Sequence, residues 1–382
     1  MNAVIAIDSF KGSLSSLKSG KAVSEAIKSV YPDASISVFP IADGGEGTSD
    51  AIIRAKGARK VNISVHGPLG DIIESSYGII EGEGKAIIEM ASAAGITLID
   101  KSRLDPLLTT TYGVGEMISD AIGRGCRDFI IGIGGSATND GGTGMLSALG
   151  FEFLDSYGNK VPCSGSGLGL IKEIKCDKVI PALSDCRFTV ACDVKNPLCG
   201  ENGCSAVYGP QKGATPETVE KMDKWLKNYA KLTKELFPDA DGDFPGNGAA
   251  GGLGFALRTY LKAELRSGID TVIEAIGLEN AVKDADIVIT GEGRLDSQTA
   301  QGKAPIGIAR VAKKYGKTVI AFSGAVTDRA SECNMHGIDA FFPIVRRPCT
   351  LSEAIDKENA YKNLKDTAEQ VFRLIKSTSN GF

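Results

Sequence analysis

Short apolar runs, each closed by glycine and polar residues, alternate with stretches of helical period at both ends of this chain, and the middle follows a mixed pattern. Val4 to Ile7 reads as a strand that ends in Asp8-Ser9-Phe10-Lys11-Gly12. A helix follows, with Ser13 or Ser16 as N-cap and Val23, Ala26, Ile27 and Val30 on one face. Ser35 to Ile41 predicts a second strand, and a further helix runs through Asp50 to Arg54. Then Val61 to Val65, Ile72 to Ile80 and Lys85 to Met90 read as antiparallel strands, two of them joined by the Glu81-Gly82-Glu83-Gly84 turn. A helix near Tyr112 to Gly123 precedes an apolar strand, Phe129 to Ile133, and Phe188 to Cys192 is another core strand. Thr215 to Phe237 is the clearest helix. Thr215 can cap it, Pro216 suits its first turn, and Val219, Met222, Leu226, Tyr229 and Leu232 form a core-facing stripe. From Asp286 the alternation of strand and helix returns: Ile287 to Thr290, a helix over Ile306 to Tyr315, Thr318 to Phe322, Ala340 to Val345, and a C-terminal helix.

Apolar strands alternating with helices predict an α/β fold with a parallel, doubly wound sheet. Since both ends carry that pattern, the expected arrangement is one discontinuous flavodoxin-like or Rossmann-like domain, residues 1–64 plus 284–382. A mixed α/β domain, residues 65–283, is inserted into it. Two consecutive domains divided near the middle are the competing arrangement. A length of 382 residues suits two domains in either case.

Composition narrows the function. Charged residues are 24% and the net charge is -4, so no electrostatic argument favours nucleic acid or an anionic membrane as partner. No apolar run approaches the roughly 20 residues that a bilayer needs, and the first residues lack the pattern of a secretory leader. The expected location is therefore cytoplasmic. The 9 cysteines include no C-x-x-C pair, which points to reduced thiols and away from a zinc site.

Four glycine-rich segments carry the candidate chemistry: Asp43-Gly44-Gly45-Glu46-Gly47-Thr48, Gly134-Gly135-Ser136-Ala137-Thr138-Asn139-Asp140-Gly141-Gly142, Gly246 to Gly254, and Gly291-Glu292-Gly293-Arg294-Leu295-Asp296. Glycine lets backbone amides turn toward a ligand, and such amides at a helix start bind anions. Carboxylates among them would repel a bare phosphate but could hold Mg2+ against it. Together they point to magnesium-nucleotide chemistry. Asp43, Glu46 and Glu292 are the candidate metal ligands. Gly44, Gly45, Gly134, Gly135, Ser136, Asn139, Gly251 and Gly252 are the candidate phosphate-binding residues. The pattern D-G-G-x-G occurs at both Asp43 and Asp140, which suggests two equivalent loops. Lys11 can neutralise phosphate charge. Asp193 can orient a hydroxyl and accept its proton, and Asp296 can do that or bind metal. Arg294, Lys195 and Asn196 are placed to hold a substrate carboxylate.

Other chemistries recede. The two histidines, His66 and His336, lie outside the glycine loops, and there is no P-loop or protein-kinase signature. Gly132-Ile133-Gly134-Gly135-Ser136-Ala137 matches a dinucleotide fingerprint and keeps an NAD-dependent oxidoreductase open, although the glycines that follow oppose an immediate helix. A non-catalytic nucleotide sensor is the third possibility.

These segments, with Asp8-Ser9-Phe10-Lys11-Gly12 and Ala191-Cys192-Asp193-Val194-Lys195-Asn196-Pro197-Leu198, together resemble the bacterial type I glycerate kinases in six ordered motifs spread over nearly the whole chain. The resemblance implies transfer of the ATP γ-phosphoryl group to D-glycerate with Mg2+, with 2-phosphoglycerate as product. It also implies two α/β domains with the site between them. The small molecules ATP and glycerate are then the expected partners of a monomer or homodimer.

Overall fold

The computed structural model describes residues 1–42 and 47–379. Thirteen strands are present among them: β1 (Asn2–Ile7), β2 (Ser35–Pro40), β3 (Arg59–His66), β4 (Ile72–Ile80), β5 (Lys85–Glu89), β6 (Asp128–Gly132), β7 (Glu152–Leu154), β8 (Glu173–Lys175), β9 (Arg187–Ala191), β10 (Glu264–Arg266), β11 (Ile287–Leu295), β12 (Thr318–Val326) and β13 (Ala340–Pro343). The chain divides into two compact units, Met1–Asp43 with Val272–Phe382, and Gly44–Thr271.

The first unit is a five-stranded sheet ordered β13-β12-β11-β1-β2, and all its pairings are parallel. Counted along the chain within this unit, that is the flavodoxin-like order 2-1-3-4-5. Its three central strands, β1, β11 and β12, are largely buried because helices cover both faces, as parallel sheets require, while the edge strands β2 and β13 are more exposed. The helix Ser16–Val30 buries Val23, Ala26, Ile27 and Val30, the face its period predicts. The structure places its cap at Ser15, whose side chain accepts from the Lys18 amide, rather than at Ser13 or Ser16. Ser16 instead donates to the Ile7 carbonyl at 2.6 Å and accepts from the Ile41 amide at 2.9 Å, tying the ends of β1 and β2 together. The C-terminal helix Lys357–Ser379 packs on the same face through Leu364 and Phe372, and Lys365 reaches Glu25 at 2.9 Å.

The second unit is a six-stranded mixed sheet ordered β10-β9-β6-β5-β4-β3. β3, β4 and β5 are antiparallel neighbours, while β5, β6, β9 and β10 run parallel. β3 and the helix Thr48–Lys56 belong to this unit, which moves the first boundary from the expected residue 64 to 43. The cause is pairing: β3 runs beside β4 over its whole length. The second boundary falls at 271/272 instead of 283/284. The helix Pro216–Leu236 begins after Thr215, whose hydroxyl accepts from the Thr218 amide at 3.2 Å. It buries Met222, Leu226 and Tyr229. Tyr229 meets Phe255 edge-on with ring centroids 5.6 Å apart. A truncation of Leu226 to alanine there would cost about 2–5 kcal/mol. Among the described residues no helix is long and apolar enough to cross a membrane.

Candidate active site

In the first unit the strand order reverses between β1 and β11, where ligands of open parallel sheets bind, beyond the carboxyl ends of the strands. The chain leaving β1 folds over the end of β11. The Asp8 amide donates to the Gly291 carbonyl at 2.9 Å, and a Cβ at Gly293 would lie 3.4 Å from the Lys11 nitrogen. The Lys11 segment thus packs directly beside Gly293. Asp8 is buried and accepts from the Ser9 amide at 2.6 Å, and Lys11 is exposed.

The segment Gly291 to Leu295, expected as a loop, is strand. β11 runs on to Leu295, opposite β12, with Glu292 facing Ser323 and Arg294 facing Ala325. Ser323 stabilises this extension, since its hydroxyl accepts from the Leu295 amide at 3.0 Å and donates to the Ala325 carbonyl at 2.6 Å. Glu292 is buried and accepts from the Thr299 hydroxyl. Asp296 caps the short helix Ser297–Ala300, accepting from the amides of Gln298 at 2.9 Å and Thr299 at 3.2 Å. Arg294 folds back on Asp296, its Nε at 3.0 Å and Nη2 at 2.8 Å from Oδ2. Burial pushes the Asp296 carboxyl up, but the Arg294 guanidinium and the two amides outweigh it and hold the group below its ordinary value. Lys11, Glu292, Arg294 and Asp296 therefore share one edge of one sheet. Within that edge, Asp296 and Arg294 already serve each other. Asp43, Gly44, Gly45 and Glu46 lie outside the described residues.

In the second unit three loops interlock at the carboxyl ends of β6 and β9. Gly134 to Asn139 follows β6. Its Gly135 carbonyl accepts from the Ile96 amide, and its Ala137 amide donates to the Ala94 carbonyl, both at 2.9 Å. Gly135 is exposed and left-handed, with φ +71°, while Ser136 is buried. Asn139 is fully buried and donates to Ser205 Oγ at 2.9 Å, so its side chain belongs to the interior of this unit. Asp140, also fully buried, is the knot of the loop. Its Oδ2 accepts from the Thr111 amide at 2.8 Å, the Thr111 hydroxyl at 2.7 Å and the Gly144 amide at 3.3 Å, and its Oδ1 from the Gly142 amide at 3.0 Å. Burial is the main influence on this carboxyl and pushes it up.

Gly251 and Gly252 pack the next loop onto this one. A Cβ on Gly251 would sit 2.1 Å from the Thr138 carbonyl oxygen, and the Gly251 carbonyl accepts from the Gly141 amide at 2.9 Å. Both glycines are buried, and their contacts are with protein. Asn196 joins the third loop: Nδ2 donates to the Asn202 carbonyl at 2.9 Å, and Oδ1 accepts from the Tyr208 hydroxyl at 2.7 Å. Its own carbonyl accepts from the Gly246 and Gly248 amides. Asp193 is exposed two residues past β9 and accepts from the Gly268 amide, at the head of the helix Gly268–Ile276, at 2.9 Å. Lys195 is exposed beside it.

The two D-G-G-x-G segments open helices in different registers. Gly47, the last residue of the first pattern, caps Thr48–Lys56, whereas Gly142, the third of the second, caps Thr143–Ala148. Gly132 to Ala137 does not form a dinucleotide turn, because the helix starts only at Thr143. Asp155 follows β7, which pairs antiparallel with β8 in a separate two-stranded sheet. Two cavities, of about 400 and 360 Å³, have none of the motif residues in their linings, the first being lined by Arg346 and Lys362 among others and the second by His66, Thr110 and Tyr112.

Three residues that organise these loops escaped the sequence reading. Thr111 sits at the end of a run of three threonines, the only hint of it. Asp140 lay inside a quoted motif without a role. Lys212, from the Pro210–Lys212 turn, donates to Ser136 Oγ at 2.7 Å and the Thr138 carbonyl at 2.6 Å. Nothing local marks that lysine as buried.

The sequence model described as the glycerate kinase family matches residues 3–376. A glycerate 2-kinase of Escherichia coli strain K12 is 46% identical over 365 residues, covering 95% of each chain. A glycerate kinase of Bacillus subtilis strain 168 is 43% identical over 383 residues and covers both chains fully. A crystal structure provisionally described as glycerate kinase 2 from Salmonella typhimurium LT2 superposes with a TM-score of 0.91 at 45% identity, covering 100% of each chain. Nothing among these relatives supports an NAD-dependent oxidoreductase. With that coverage at both the sequence and the structural level, the chain belongs to the glycerate kinase family.

Proposed function

We propose that this glycerate-phosphorylating enzyme takes its phosphoryl group from ATP, that D-glycerate is the acceptor, and that 2-phosphoglycerate is the product. The observation that carries this reading is the grouping of the motif residues. Each unit gathers its glycine-lined, charged segments at the carboxyl ends of its parallel strands, the edge where such sheets bind ligands. The name of the Escherichia coli relative supports the choice of the 2-hydroxyl.

The roles divide by chemistry. In the second unit the Gly134-Gly135 turn presents unencumbered backbone for phosphate oxygens, with Ser136 beneath it. Asp193, exposed at the end of β9, orients the glycerate hydroxyl and takes its proton late, which suffices for a loose transition state. Lys195 is the exposed cation nearest in sequence for the glycerate carboxylate. In the first unit Lys11 neutralises charge on the transferred group. Arg294 can serve a carboxylate only by sharing its guanidinium with Asp296. Asn196, Asn139, Gly251 and Gly252 hold the loops in shape.

Mg2+ fits the donor set of the first unit. Among the described residues no cluster of three or more His, Cys, Asp or Glu side chains could cage a metal. Mg2+ bound to nucleotide needs only one or two carboxylates besides phosphate and water. Glu292, a hard oxygen donor held by Thr299, meets that need, and Asp43 and Glu46 are the further candidates. When bound, the ion would neutralise phosphate charge. Location in the cytoplasm and a monomeric or homodimeric state belong to the same proposal.

Phosphorus NMR after incubation with ATP, Mg2+ and D-glycerate tests the reading. A new phosphomonoester resonance coupled to the C2 proton is expected. A resonance coupled to the C3 methylene protons would overturn the 2-hydroxyl assignment, and none at all would overturn the reaction.

A further inference from the structure

A lysine buried without a counter-charge is expensive, because its ammonium leaves water and gains no ion pair. Lys212 is such a lysine. The turn Pro210–Lys212 and the left-handed Gly213 (φ +95°), pressed against the Leu104 carbonyl, send the side chain inward until the residue is 2% exposed. Its Nζ donates to two neutral acceptors, Ser136 Oγ at 2.7 Å and the Thr138 carbonyl at 2.6 Å. No ion pair among the described residues involves it. The titratable groups that act on it are Cys204, from the helix Cys204–Tyr208, and Asp140. Burial pushes the Cys204 thiol up to about 11, so it is neutral at ordinary pH. Asp140 accepts from four other donors and makes no ion pair with Lys212 among the described residues, so it acts on the ammonium only at a distance.

The same loop holds two more unspent groups. Thr138 Oγ1 and Asn139 Oδ1 are buried and have no hydrogen-bond partner. On its outer side, Gly134 is half-buried and Gly135 exposed. A positive charge thus lies directly under a turn whose rim is bare backbone.

We propose that Lys212 is a positioning residue whose charge, acting through Ser136 and the Thr138 carbonyl, lets the Gly134–Asn139 loop take the anionic group of a substrate. This rests on the reading that the loop binds such a group. The shared chemistry is an oxyanion, supplied either by the nucleotide phosphates or by the glycerate carboxylate. The missing counter-charge is then the ligand's own. Burial pushes the Lys212 ammonium down to about 8, and a bound anion favours the charged form and raises it again. Affinity is therefore full while Lys212 is protonated and weakens as pH rises above about 8, and binding at higher pH draws a proton from solution.

Titration calorimetry of the wild-type enzyme at pH 7.0 and 8.5, each in two buffers of different ionisation heat, tests this. MgATP and D-glycerate are titrated separately. For the ligand that sits on the loop, uptake at pH 8.5 should reach about three quarters of a proton, and Kd should weaken roughly fourfold from pH 7.0. The other ligand should show neither. Lys212→Gln should abolish both effects, and Lys212→Arg should keep tight binding while removing its pH dependence, since arginine stays charged. Uptake in neither arm while both ligands bind, or uptake that persists in Lys212→Gln, overturns the proposal. Should the variants not fold, the wild-type calorimetry decides alone. Failure of the wild-type enzyme to bind either ligand would instead overturn the underlying reading of the loop, and the proposal with it.

Discussion

Gly251→Ala isolates what the loop-on-loop contact contributes. Gly251 is left-handed, with φ +66°, a conformation that costs an L-residue about 1–2 kcal/mol. The added Cβ would lie 2.1 Å from the Thr138 carbonyl oxygen and 2.5 Å from Asn139 Cα, both backbone atoms that cannot swing away. Relief of that clash costs about 1–3 kcal/mol. The stiffer unfolded chain returns about 0.4–1 kcal/mol, which leaves a net loss of roughly 1–4 kcal/mol with the clash deciding the size. The loss falls in the second unit, and the molecule carries a suitable reporter. Its single tryptophan, Trp225, lies there on the helix Pro216–Leu236, packed against Gly169. Urea unfolding followed by Trp225 fluorescence should show a midpoint lowered by roughly 0.3–1.3 M, for a slope near 3 kcal/mol/M. Because Thr138 must move, and its carbonyl is a partner of Lys212, the KM of one substrate should rise as well. Ala250→Gly is the control. Ala250 is left-handed too, with φ +52°. Relief of that strain offsets the lost methyl and the freed backbone, so its unfolding free energy should match the wild type within about 1 kcal/mol. A Gly251→Ala midpoint and KM equal to those of the wild type would refute the packing argument.

Other substitutions separate chemistry from scaffolding. Asp193→Asn should lower kcat roughly a hundredfold or more while the KM for ATP holds; near-normal turnover would remove Asp193 from proton transfer. Asp296→Ala should free the Gln298 and Thr299 amides to exchange with solvent and cost about 1 kcal/mol, and Asp296→Asn should retain most of the cap. Because the folded Asp296 carboxyl sits below its ordinary value, its contribution is present above the usual carboxylate range and lost as pH falls through that depressed value, as an acid titration of amide exchange would read. Asn196→Ala removes the partner of the Asn202 carbonyl and of the half-buried Tyr208 hydroxyl, both of which water can reach, and should cost about 0.5–1.5 kcal/mol in Trp225-detected unfolding, with no loss counting against its bridging role.

The sequence carried the fold wherever local physics decides it. Tyr112–Gly123 and Ile72–Ile80 appear with the expected ends, and the long helix begins after Thr215 as its cap predicts. What escaped depends on partners far along the chain. Gly291 to Leu295 looks like a loop because a buried strand is normally apolar, yet pairing with β12 and the Ser323 hydroxyl keep it extended. The sequence points to Ser13 or Ser16 as the first helix's cap, whereas Ser15 fills that role by accepting from the Lys18 amide and Ser16 ties β1 to β2. The expected boundary at residue 64 cuts through β3, whose pairing with β4 along its whole length ties it to the second unit.

The motif residues separate for a related reason. Glycine is informative about backbone but silent about what comes close to it. At Gly135 the left-handed turn faces outward, and a Cβ there would have only the Ala91 methyl within reach, at 3.6 Å. At Gly251 the same conformation faces the Thr138 carbonyl. Identical sequence signals thus mark a surface open to a ligand in one case and a joint between loops in the other. Burial decides between them, and burial is also what turns Lys212 from a commonplace surface residue into the one cation beneath the open turn. The recognition surface and the joint are mechanically linked through Thr138, whose carbonyl meets Lys212 and limits the space at Gly251. Substitutions in the joint should therefore alter substrate binding without touching substrate, and those on the open turn should alter it with no clash and only the roughly 1–2 kcal/mol that a left-handed L-residue costs.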